Sequence, residues 1–217
     1  MICVSIAEET AEGALRALKG LELAEIRLDA LAESELTPEN VRRIFSSPSR
    51  LVATCRPGKL GVEKRKECLS HAIEAGAGYV DIEVEAPDSY KKELIEKARE
   101  KGCTAIVSYH DYKRTPPEAE LLQIIQWCFD SGADIAKIAC MVHGARDNAR
   151  LLGLLDGKGI IVIGMGAKGR VTRIIAPLLG SPFTYASAGK GKETAEGQMD
   201  KATLERAIGA MREALGR

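Results

Sequence analysis

Two residues with complementary chemistry lie in short apolar segments of the chain. Lys137 sits inside the run 134–140, whose composition is typical of a buried strand. Burying an ammonium group is costly unless the group is paired or neutral, so this position indicates a lysine with a chemical role. His110 ends a similar run, residues 106–111, where an imidazole is placed to carry protons. We therefore expect a nucleophilic amine and a proton carrier at one sheet edge.

Charged residues also stand where other strands are predicted to end. Period-two alternation puts Glu25, Arg27 and Asp29 on one face of a strand. Three further residues share this kind of position: Arg56, Asp81 and Glu83. The alternative to a functional cluster is a buried ion pair between Glu25 and Arg27 that only fixes packing. Because such residues recur on five predicted strands, the pattern favours function.

For Lys137 the alternative to catalysis is a structural salt bridge to Asp81 or Glu83. Arg27 and Arg56 would compete for the same carboxylates, and this competition favours a lysine that works as a nucleophile.

Short β-branched runs alternate with helical segments along the whole chain, a pattern that predicts parallel strands joined by crossover helices. Eight such units fit a compact (β/α)8 barrel better than an open doubly wound sheet. In a barrel, catalytic residues gather at the C-terminal ends of the strands. The predicted strands are residues 2–6, 23–29, 51–56, 78–84, 104–110, 135–140, 159–165 and 183–188.

Helix boundaries and helix faces can also be predicted. Thr37-Pro38 resembles an N-cap with proline in the first turn, and Thr115 with Glu118 resembles a capping box. Five glycines follow predicted helices and would end them in the left-handed conformation: Gly20, Gly76, Gly102, Gly132 and Gly180. Helical periodicity predicts two apolar faces against the sheet: Leu121, Leu122, Ile125, Cys128 and Phe129, and Leu204, Ile208, Met211 and Leu215.

The composition of the 217 residues narrows the class of ligand. Thirty-one basic residues balance thirty-one acidic ones without a long block of one sign, so we expect no nucleic-acid or anionic-membrane partner and a small-molecule substrate instead. Apolar runs are shorter than a membrane span and the N-terminus lacks a signal-peptide pattern, which predicts a cytoplasmic protein. Six dispersed cysteines without CxxC spacing predict reduced thiols and no zinc site.

Two polar loops follow the last two predicted strands. The glycine-rich segment 164–170 is read either as an anion cradle or as a bare loop. Arg173, one turn into the next helix, has the planar fork that grips a carboxylate. Residues 188–198 have the composition of a mobile lid, or equally of a surface connection.

Taken in order, these motifs resemble those of the type I 3-dehydroquinate dehydratases over nearly the whole chain. The residues that carry the resemblance are Glu25-Ile26-Arg27-Leu28-Asp29, Thr54-Cys55-Arg56, Asp81-Ile82-Glu83, Ser108-Tyr109-His110-Asp111, Lys137-Ile138-Ala139, Arg173 and Gly197-Gln198. The resemblance implies a (β/α)8 barrel, a single catalytic domain over residues 1–217, the dehydration of 3-dehydroquinate to 3-dehydroshikimate, no metal or cofactor, and a homodimer.

The resemblance also implies a role for each site residue. Lys137 would attack the substrate ketone to form an imine, and His110 would remove the adjacent proton and protonate the departing hydroxyl. Burial and the neighbouring Arg27 or Arg56 would favour the neutral amine. Either Asp81 or Glu83 would orient His110. The substrate-binding residues implied are Ser5, Glu25, Arg27, Arg56, Arg173, Thr194 and Gln198.

The chain departs from the family pattern in two loops. Leu60 stands where the family often has a glutamate, so either Glu63 substitutes for that acid or the acid is dispensable. Thr194 replaces a serine in the last loop, with Glu196 in place of proline, and a threonine hydroxyl can make the same hydrogen bond.

Two other functions are compatible with these residues. A class I aldolase-like barrel acting on a phosphosugar would use the same lysine, and it would depend on phosphate binding by loop 164–169. A non-catalytic barrel that senses a shikimate-pathway acid would bind the acid without turning it over.

Overall fold

The computed structural model describes residues 1–157 and 159–216. Eight short β-strands follow one another along the chain, each close to its predicted position. The strands are β1 Ile2–Ile6, β2 Leu23–Arg27, β3 Arg50–Thr54, β4 Tyr79–Glu83, β5 Thr104–Asp111, β6 Ile135–Met141, β7 Ile160–Met165 and β8 Thr184–Ser187.

A helix follows each strand, and short 3₁₀ turns complete the connections after β2 and β7. The helices are α1 Ala11–Ala17, α2 Pro38–Phe45, α3 Val62–Glu74, α4 Asp88–Glu100, α5 Glu118–Asp130, α6 Ala145–Gly153, α7 Arg170–Ile175 and α8 Lys201–Ala214.

All strand pairs are parallel, and their order in the sheet is β7-β6-β5-β4-β3-β2-β1-β8. Strands β1 to β7 therefore pair in sequence order, whereas β8 pairs with β1 and not with β7. The sheet is a nearly closed barrel, with β7 and β8 at its two edges. The expected (β/α)8 barrel is confirmed.

The barrel interior contains an apolar zone and a polar zone. Residues such as Cys3, Val52 and Ile106 belong to one buried apolar cluster inside the barrel. The polar zone follows from the register, because aligned residues of neighbouring strands point to the same side. Three aligned pairs bring buried polar side chains together: Ser5 with Glu25, Thr54 with Asp81, and Ser108 with Lys137.

The helices pack their apolar faces on the outside of the sheet, with two exceptions to the predicted faces. Leu121, Ile125 and Cys128 are buried as predicted, but Leu122 is 51% exposed. Consecutive residues of a helix lie about 100° apart, which puts Leu122 to one side of the buried stripe formed by Leu121, Ile124, Ile125 and Cys128. Leu215 is also exposed, because it follows the last residue of α8.

The predicted helix ends are correct in most cases. All five glycines predicted to end helices have a positive φ. The Thr37 hydroxyl accepts a hydrogen bond from the Asn40 amide (3.2 Å), as expected of an N-cap. The capping box at Thr115 is wrong, since α5 begins only at Glu118 and the Thr115 hydroxyl donates to the Met141 carbonyl (2.7 Å).

Three further features bear on the class of protein. All six cysteines are free and buried. Across residues 1–157 and 159–216, no helix has the length and apolarity needed to cross a bilayer. Within the same ranges, no three His, Cys, Asp or Glu side chains are grouped so as to hold a metal ion.

Candidate active site

One pocket at the C-terminal ends of the strands collects the residues singled out by the sequence. Strand residues supply its floor, and the loop after β8 supplies part of its wall. All nine predicted catalytic and binding residues line it: Ser5, Glu25, Arg27, Arg56, His110, Lys137, Arg173, Thr194 and Gln198.

Lys137 is buried at the centre of this pocket, with 5% of its surface exposed. Its Nζ lies 2.8 Å from Asp81 Oδ2 and 3.8 Å from Glu25 Oε1. The amine also lies over the Tyr185 ring, 4.2 Å from the ring centroid, which is a cation–π distance. The salt bridge to Asp81, which the sequence analysis weighed as an alternative, is therefore present, and Arg56 shares this carboxylate with Lys137 without displacing it.

Asp81 connects the amine to the rest of the polar network. Its Oδ2 also accepts from Arg56 Nη2 (2.9 Å), and its Oδ1 accepts from the Ser108 hydroxyl (2.6 Å). Burial opposes the charged form, but Arg56 and Lys137 outweigh it and lower the pKa of Asp81 far below its usual value. Asp81 is therefore a fixed anion, and it is Asp81 that pairs with Lys137.

Glu83 forms ion pairs with two arginines. Arg56 Nη1 lies 2.7 Å from Glu83 Oε1, and Arg65 Nη1 lies 3.5 Å from Glu83 Oε2. Arg65 comes from α3 and is buried although its helix begins with the charged sequence V-E-K-R-K-E. This contact could not be predicted from the sequence, because such a charge run usually marks a solvated helix face.

Glu25 and Arg27 do not pair with each other, contrary to the alternative of a structural ion pair. Glu25 accepts hydrogen bonds from the Ser5 hydroxyl and from Thr54 Oγ1 (2.9 Å for the latter). Arg27 forms a bidentate ion pair with Asp29, in which Nε lies 3.0 Å from Oδ1 and Nη2 lies 2.6 Å from Oδ2. Since β2 ends at Arg27, Asp29 lies in the following turn, where it faces back to the arginine.

His110 lies one interior position beyond Ser108 on β5, closer to the mouth of the barrel than Lys137. Burial and the nearby Arg56 and Lys137 hold the pKa of His110 well below its usual value, so the imidazole is neutral near pH 7. Its ring is stacked on Tyr112, with centroids 6.1 Å apart and planes at 16°. Within the described residues no hydrogen bond joins His110 to Asp81 or Glu83, so neither carboxylate orients the ring in this state.

Arg173 is the largest fully buried side chain of the pocket, with 1% of its surface exposed. Nη1 donates to the Tyr185 carbonyl (3.2 Å), whereas Nε and Nη2 have no hydrogen-bond partner among the described residues. Burial and the neighbouring Arg170 lower its pKa to about 10, which leaves it charged near pH 7. A buried cation with two spare donors on one edge is complementary to a carboxylate.

The loop after β8 covers one side of the pocket. Gln198 Oε1 accepts from the Thr194 amide (2.8 Å) and lies 3.2 Å from the Thr194 hydroxyl, so these two predicted residues are in contact. The Gly166 amide donates to the Glu196 carbonyl (3.0 Å), which joins this loop to the loop after β7.

Three glycine amides of the segment 164–170 are engaged within the protein and are not free to hold an anion. The amides of Gly164, Gly166 and Gly169 donate to Thr172 Oγ1, the Glu196 carbonyl and the Gly166 carbonyl, respectively. The segment packs tightly instead, since a Cβ on Gly169 would lie 2.5 Å from the Gly164 carbonyl oxygen.

Glu63 does not take the place of the missing loop acid in the pocket. Glu63 is exposed on α3 and pairs with Lys66 (3.1 Å), and it does not line the pocket. Leu60 packs against the core.

Several residues of the site were not predicted from the sequence. Thr54 and Ser108 hold Glu25 and Asp81 by hydrogen bonds without lining the pocket, and Tyr185 lines the pocket under the Lys137 amine. Period-two alternation held a signal for Ser108, which shares a face with His110. Tyr112 and Met165 lie in loops or strand ends whose direction the pattern does not specify.

The fold and the pocket define a (β/α)8-barrel enzyme with its site at the C-terminal mouth. A sequence model described as "Type I 3-dehydroquinase" matches residues 2–214. The chain therefore belongs to the type I 3-dehydroquinase family, whose members are hydro-lyases.

Individual relatives agree with this family. The 3-dehydroquinate dehydratase of Methanocaldococcus jannaschii is 37% identical over 220 residues, covering 94% of this chain and 96% of the relative. The crystal structure of the 3-dehydroquinate dehydratase of Aquifex aeolicus VF5 superposes with a TM-score of 0.81 at 27% identity, covering 100% and 99% of the two chains. The type I enzyme of Clostridium difficile has a TM-score of 0.86 at 22% identity, covering 98% and 92%, and shows the same fold.

Proposed function

We propose that this chain dehydrates 3-dehydroquinate to 3-dehydroshikimate, a step of the shikimate pathway, through an imine formed on Lys137. The observation that carries the proposal is a single buried arrangement: Lys137 paired with Asp81, with the neutral His110 one interior position closer to the mouth. Membership of the type I family supports the substrate and the reaction.

The first half of the reaction makes the imine. The amine must lose a proton before Nζ attacks the ketone carbon, and loss of water then gives a protonated imine. The charge at this position is the same before and after, because an ammonium is replaced by an iminium. Asp81, which Arg56 and Ser108 hold in place, is the counter-ion for both cations.

The second half breaks the carbon–hydrogen bond next to the imine. His110 takes that proton, and the electron pair moves into the imine to give an enamine. The enamine returns the pair and expels the β-hydroxyl, which leaves as water with the proton of His110. Hydrolysis of the imine then releases the product and restores Lys137. A neutral imidazole is the form that this sequence requires.

Arg173 is assigned to the substrate carboxylate, because its Nε and Nη2 atoms are buried donors of a cationic group and have no partner among the described residues. Gln198 and Thr194 lie on the loop that covers this side and would contact the same end of the substrate. Ser5, Glu25 and Arg27 lie on β1 and β2 and are assigned to the hydroxyls. Arg56 is assigned mainly to holding Asp81, since both of its terminal nitrogens are engaged.

The aldolase-like alternative is less well supported, because three glycine amides of the loop that would hold a phosphate already have partners. The alternative of a non-catalytic sensor is also less well supported, since family membership favours an enzyme. We further propose, on the family resemblance, that residues 1–217 act as one catalytic domain, and that the enzyme is a cytoplasmic homodimer.

The test is covalent trapping. The protein is mixed with 3-dehydroquinate, reduced with borohydride, digested and mapped by mass spectrometry. We expect a reduced adduct on Lys137, none in Lys137→Ala, and an adduct without turnover in His110→Ala. Lys91 is the internal control, because it is equally buried but its amine donates to the Val84 carbonyl outside the pocket.

Two outcomes would contradict the proposal. Turnover without any adduct would refute the imine mechanism, and the absence of both turnover and adduct would refute the activity. Labelling of Lys91 to the same extent as Lys137 would show that the trapping reports general lysine reactivity.

A further inference from the structure

Tyr185 contacts both the reactive amine and the residue assigned to the substrate carboxylate. It lies on the interior face of β8, aligned with Cys3 of β1, and only 4% of its surface is exposed. Its ring lies under Lys137, with Nζ 4.2 Å from the ring centroid. Its backbone carbonyl accepts a hydrogen bond from Arg173 Nη1 (3.2 Å). One residue therefore connects the two groups that are assigned to the ketone and to the carboxylate of the substrate.

Other aromatic rings hold the Tyr185 ring from the apolar side of the barrel. Phe183 precedes it by two residues on β8 and meets it edge to face, with centroids 5.5 Å apart and planes at 61°. Tyr79 of β4 packs on Phe183 in the same way, with centroids 5.3 Å apart and planes at 66°. Aromatic pairs favour this arrangement over a face-to-face sandwich. The three rings form a stack inside the barrel, and its last member is the ring that faces the amine.

The Lys137 amine faces a neutral ring and not a phenolate. Burial and the nearby Glu25 raise the pKa of the Tyr185 hydroxyl well above its usual value, so the side chain is uncharged near pH 7. The hydroxyl is buried and has no hydrogen-bond partner within residues 1–157 and 159–216. The contact with Lys137 is therefore that of a cation over the face of an aromatic ring.

The reaction changes the number of N–H groups on the nitrogen that this ring contacts. The Lys137 ammonium has three N–H donors, one of which reaches Asp81 (2.8 Å). When Nζ bonds to the ketone carbon and the ketone oxygen leaves as water, the iminium keeps the positive charge but only one N–H. Asp81 can accept that single hydrogen bond, and the other two donors are lost. A ring attracts a cation through its π electrons and needs no N–H, so the contact with Tyr185 survives the change.

We propose that Tyr185 is a further catalytic residue, whose ring face stabilises the iminium on Lys137 Nζ by a cation–π interaction. The inference rests on the proposed imine mechanism, to which it adds a second partner for the charge besides Asp81. Cation–π interactions are strongest when the cation is desolvated, and only 5% of the Lys137 surface is exposed. The ring should therefore favour the imine about tenfold. The hydroxyl is not required for this effect.

The test changes the electron density of the ring while it keeps the shape of the ring. Tyr185→Phe is compared with proteins that carry monofluoro- or trifluorophenylalanine at position 185, introduced by nonsense suppression. Fluorine makes the face of the ring steadily less negative along this series. The product 3-dehydroshikimate, which retains the reacting carbonyl, is titrated into each protein, and a short borohydride pulse traps the imine. The quantity measured by mass spectrometry is the 3-dehydroshikimate concentration that gives half of the maximal adduct on Lys137.

We expect the response to follow the electron density of the ring. Tyr185→Phe should keep the half-maximal concentration within about threefold of the wild-type value, because it retains the ring face. Trifluorophenylalanine at position 185 should raise this concentration about tenfold relative to Tyr185→Phe, with the monofluoro ring in between. Tyr185→Leu, which has no ring, should raise it at least as much. The matched control is trifluorophenylalanine at position 183, where Phe183 packs on Tyr185 without lining the pocket, and the concentration should stay unchanged.

Two results would overturn the inference. The first is a half-maximal concentration that does not change along the fluorinated series, and the second is an equal rise for the fluorinated ring at position 183, which would mean an effect of packing. If Tyr185→Leu does not fold, the fluorinated series still decides the question, because fluorine changes the ring volume little. Failure of the proposed function gives a different result, since the wild-type protein would then form no adduct on Lys137, and the role of Tyr185 would fall with it.

Discussion

Replacing Arg173 should separate substrate affinity from stability. In Arg173→Met the Tyr185 hydrogen bond is lost, at a cost of about 1.5–3 kcal/mol for a charged donor. The same change removes two buried donors without partners, Nε and Nη2, each of which costs about 1–3 kcal/mol. The relief of about 2–6 kcal/mol offsets most or all of the loss, so we expect the free energy of unfolding to fall by no more than about 1 kcal/mol.

Substrate affinity should behave differently. A carboxylate held by two charge-assisted hydrogen bonds loses both in Arg173→Met, or about 3–6 kcal/mol before solvation is considered. We expect KM to rise about 100-fold or more, with a smaller effect in Arg173→Lys, which keeps the charge but not the fork. KM is measured from the ultraviolet absorbance of the conjugated product, and stability from urea unfolding.

The refuting result is the reverse pattern. A variant that is more than about 2 kcal/mol less stable but keeps the wild-type KM would show that Arg173 supports the fold and does not bind substrate. The Arg173→Lys variant is the control for packing, because it conserves most of the side-chain volume while it removes the guanidinium.

Three other predictions concern pH, the loop and the missing acid. Because the pKa of His110 is lowered in the folded state, the unfolded chain binds more protons below about pH 6.5, and the free energy of unfolding should fall there by up to about 1.4 kcal/mol per pH unit. His110→Gln should remove this slope in urea unfolding at about pH 7 and pH 5.5, and an equal slope would contradict it. Gly197→Ala should raise KM about tenfold, since φ is +77° and the new Cβ would lie 2.2 Å from the Gly166 oxygen. Gly191→Ala, also at positive φ but without contacts, is its control, and equal KM values would count against the loop argument. Glu63→Gln should leave kcat/KM unchanged, and a loss of activity would restore this residue as a candidate acid.

The sequence predicted the strands well because their signal is local. Runs such as 135–140 are apolar, short and bounded by turns, so their position did not depend on distant contacts. The same regularity explains why all nine site residues line one pocket, since a barrel brings the ends of its strands together.

Contacts between side chains were harder to predict. Whether Lys137 pairs with Asp81 or Glu83 depends on angles across the barrel, and periodicity contains no such information. Arg65 reaches Glu83 from a helix that reads as a surface helix. Thr115 fits the local pattern of an N-cap because prolines and Glu118 follow it, but its hydroxyl donates to the Met141 carbonyl at the end of β6.

The barrel has a seam between β7 and β8, the two edges of the sheet. Three described hydrogen bonds bridge it near the pocket. The Gly166 amide donates to Glu196 in the loop after β8, Arg170 of α7 donates to Gly197 in the same loop, and Arg173 of α7 donates to Tyr185 of β8. An anion bound to Arg173 under the closed loop would therefore touch both sides of the seam. Bound substrate would then hold the two edges of the sheet together, so that substrate binding and closure of the barrel between β7 and β8 stabilise each other.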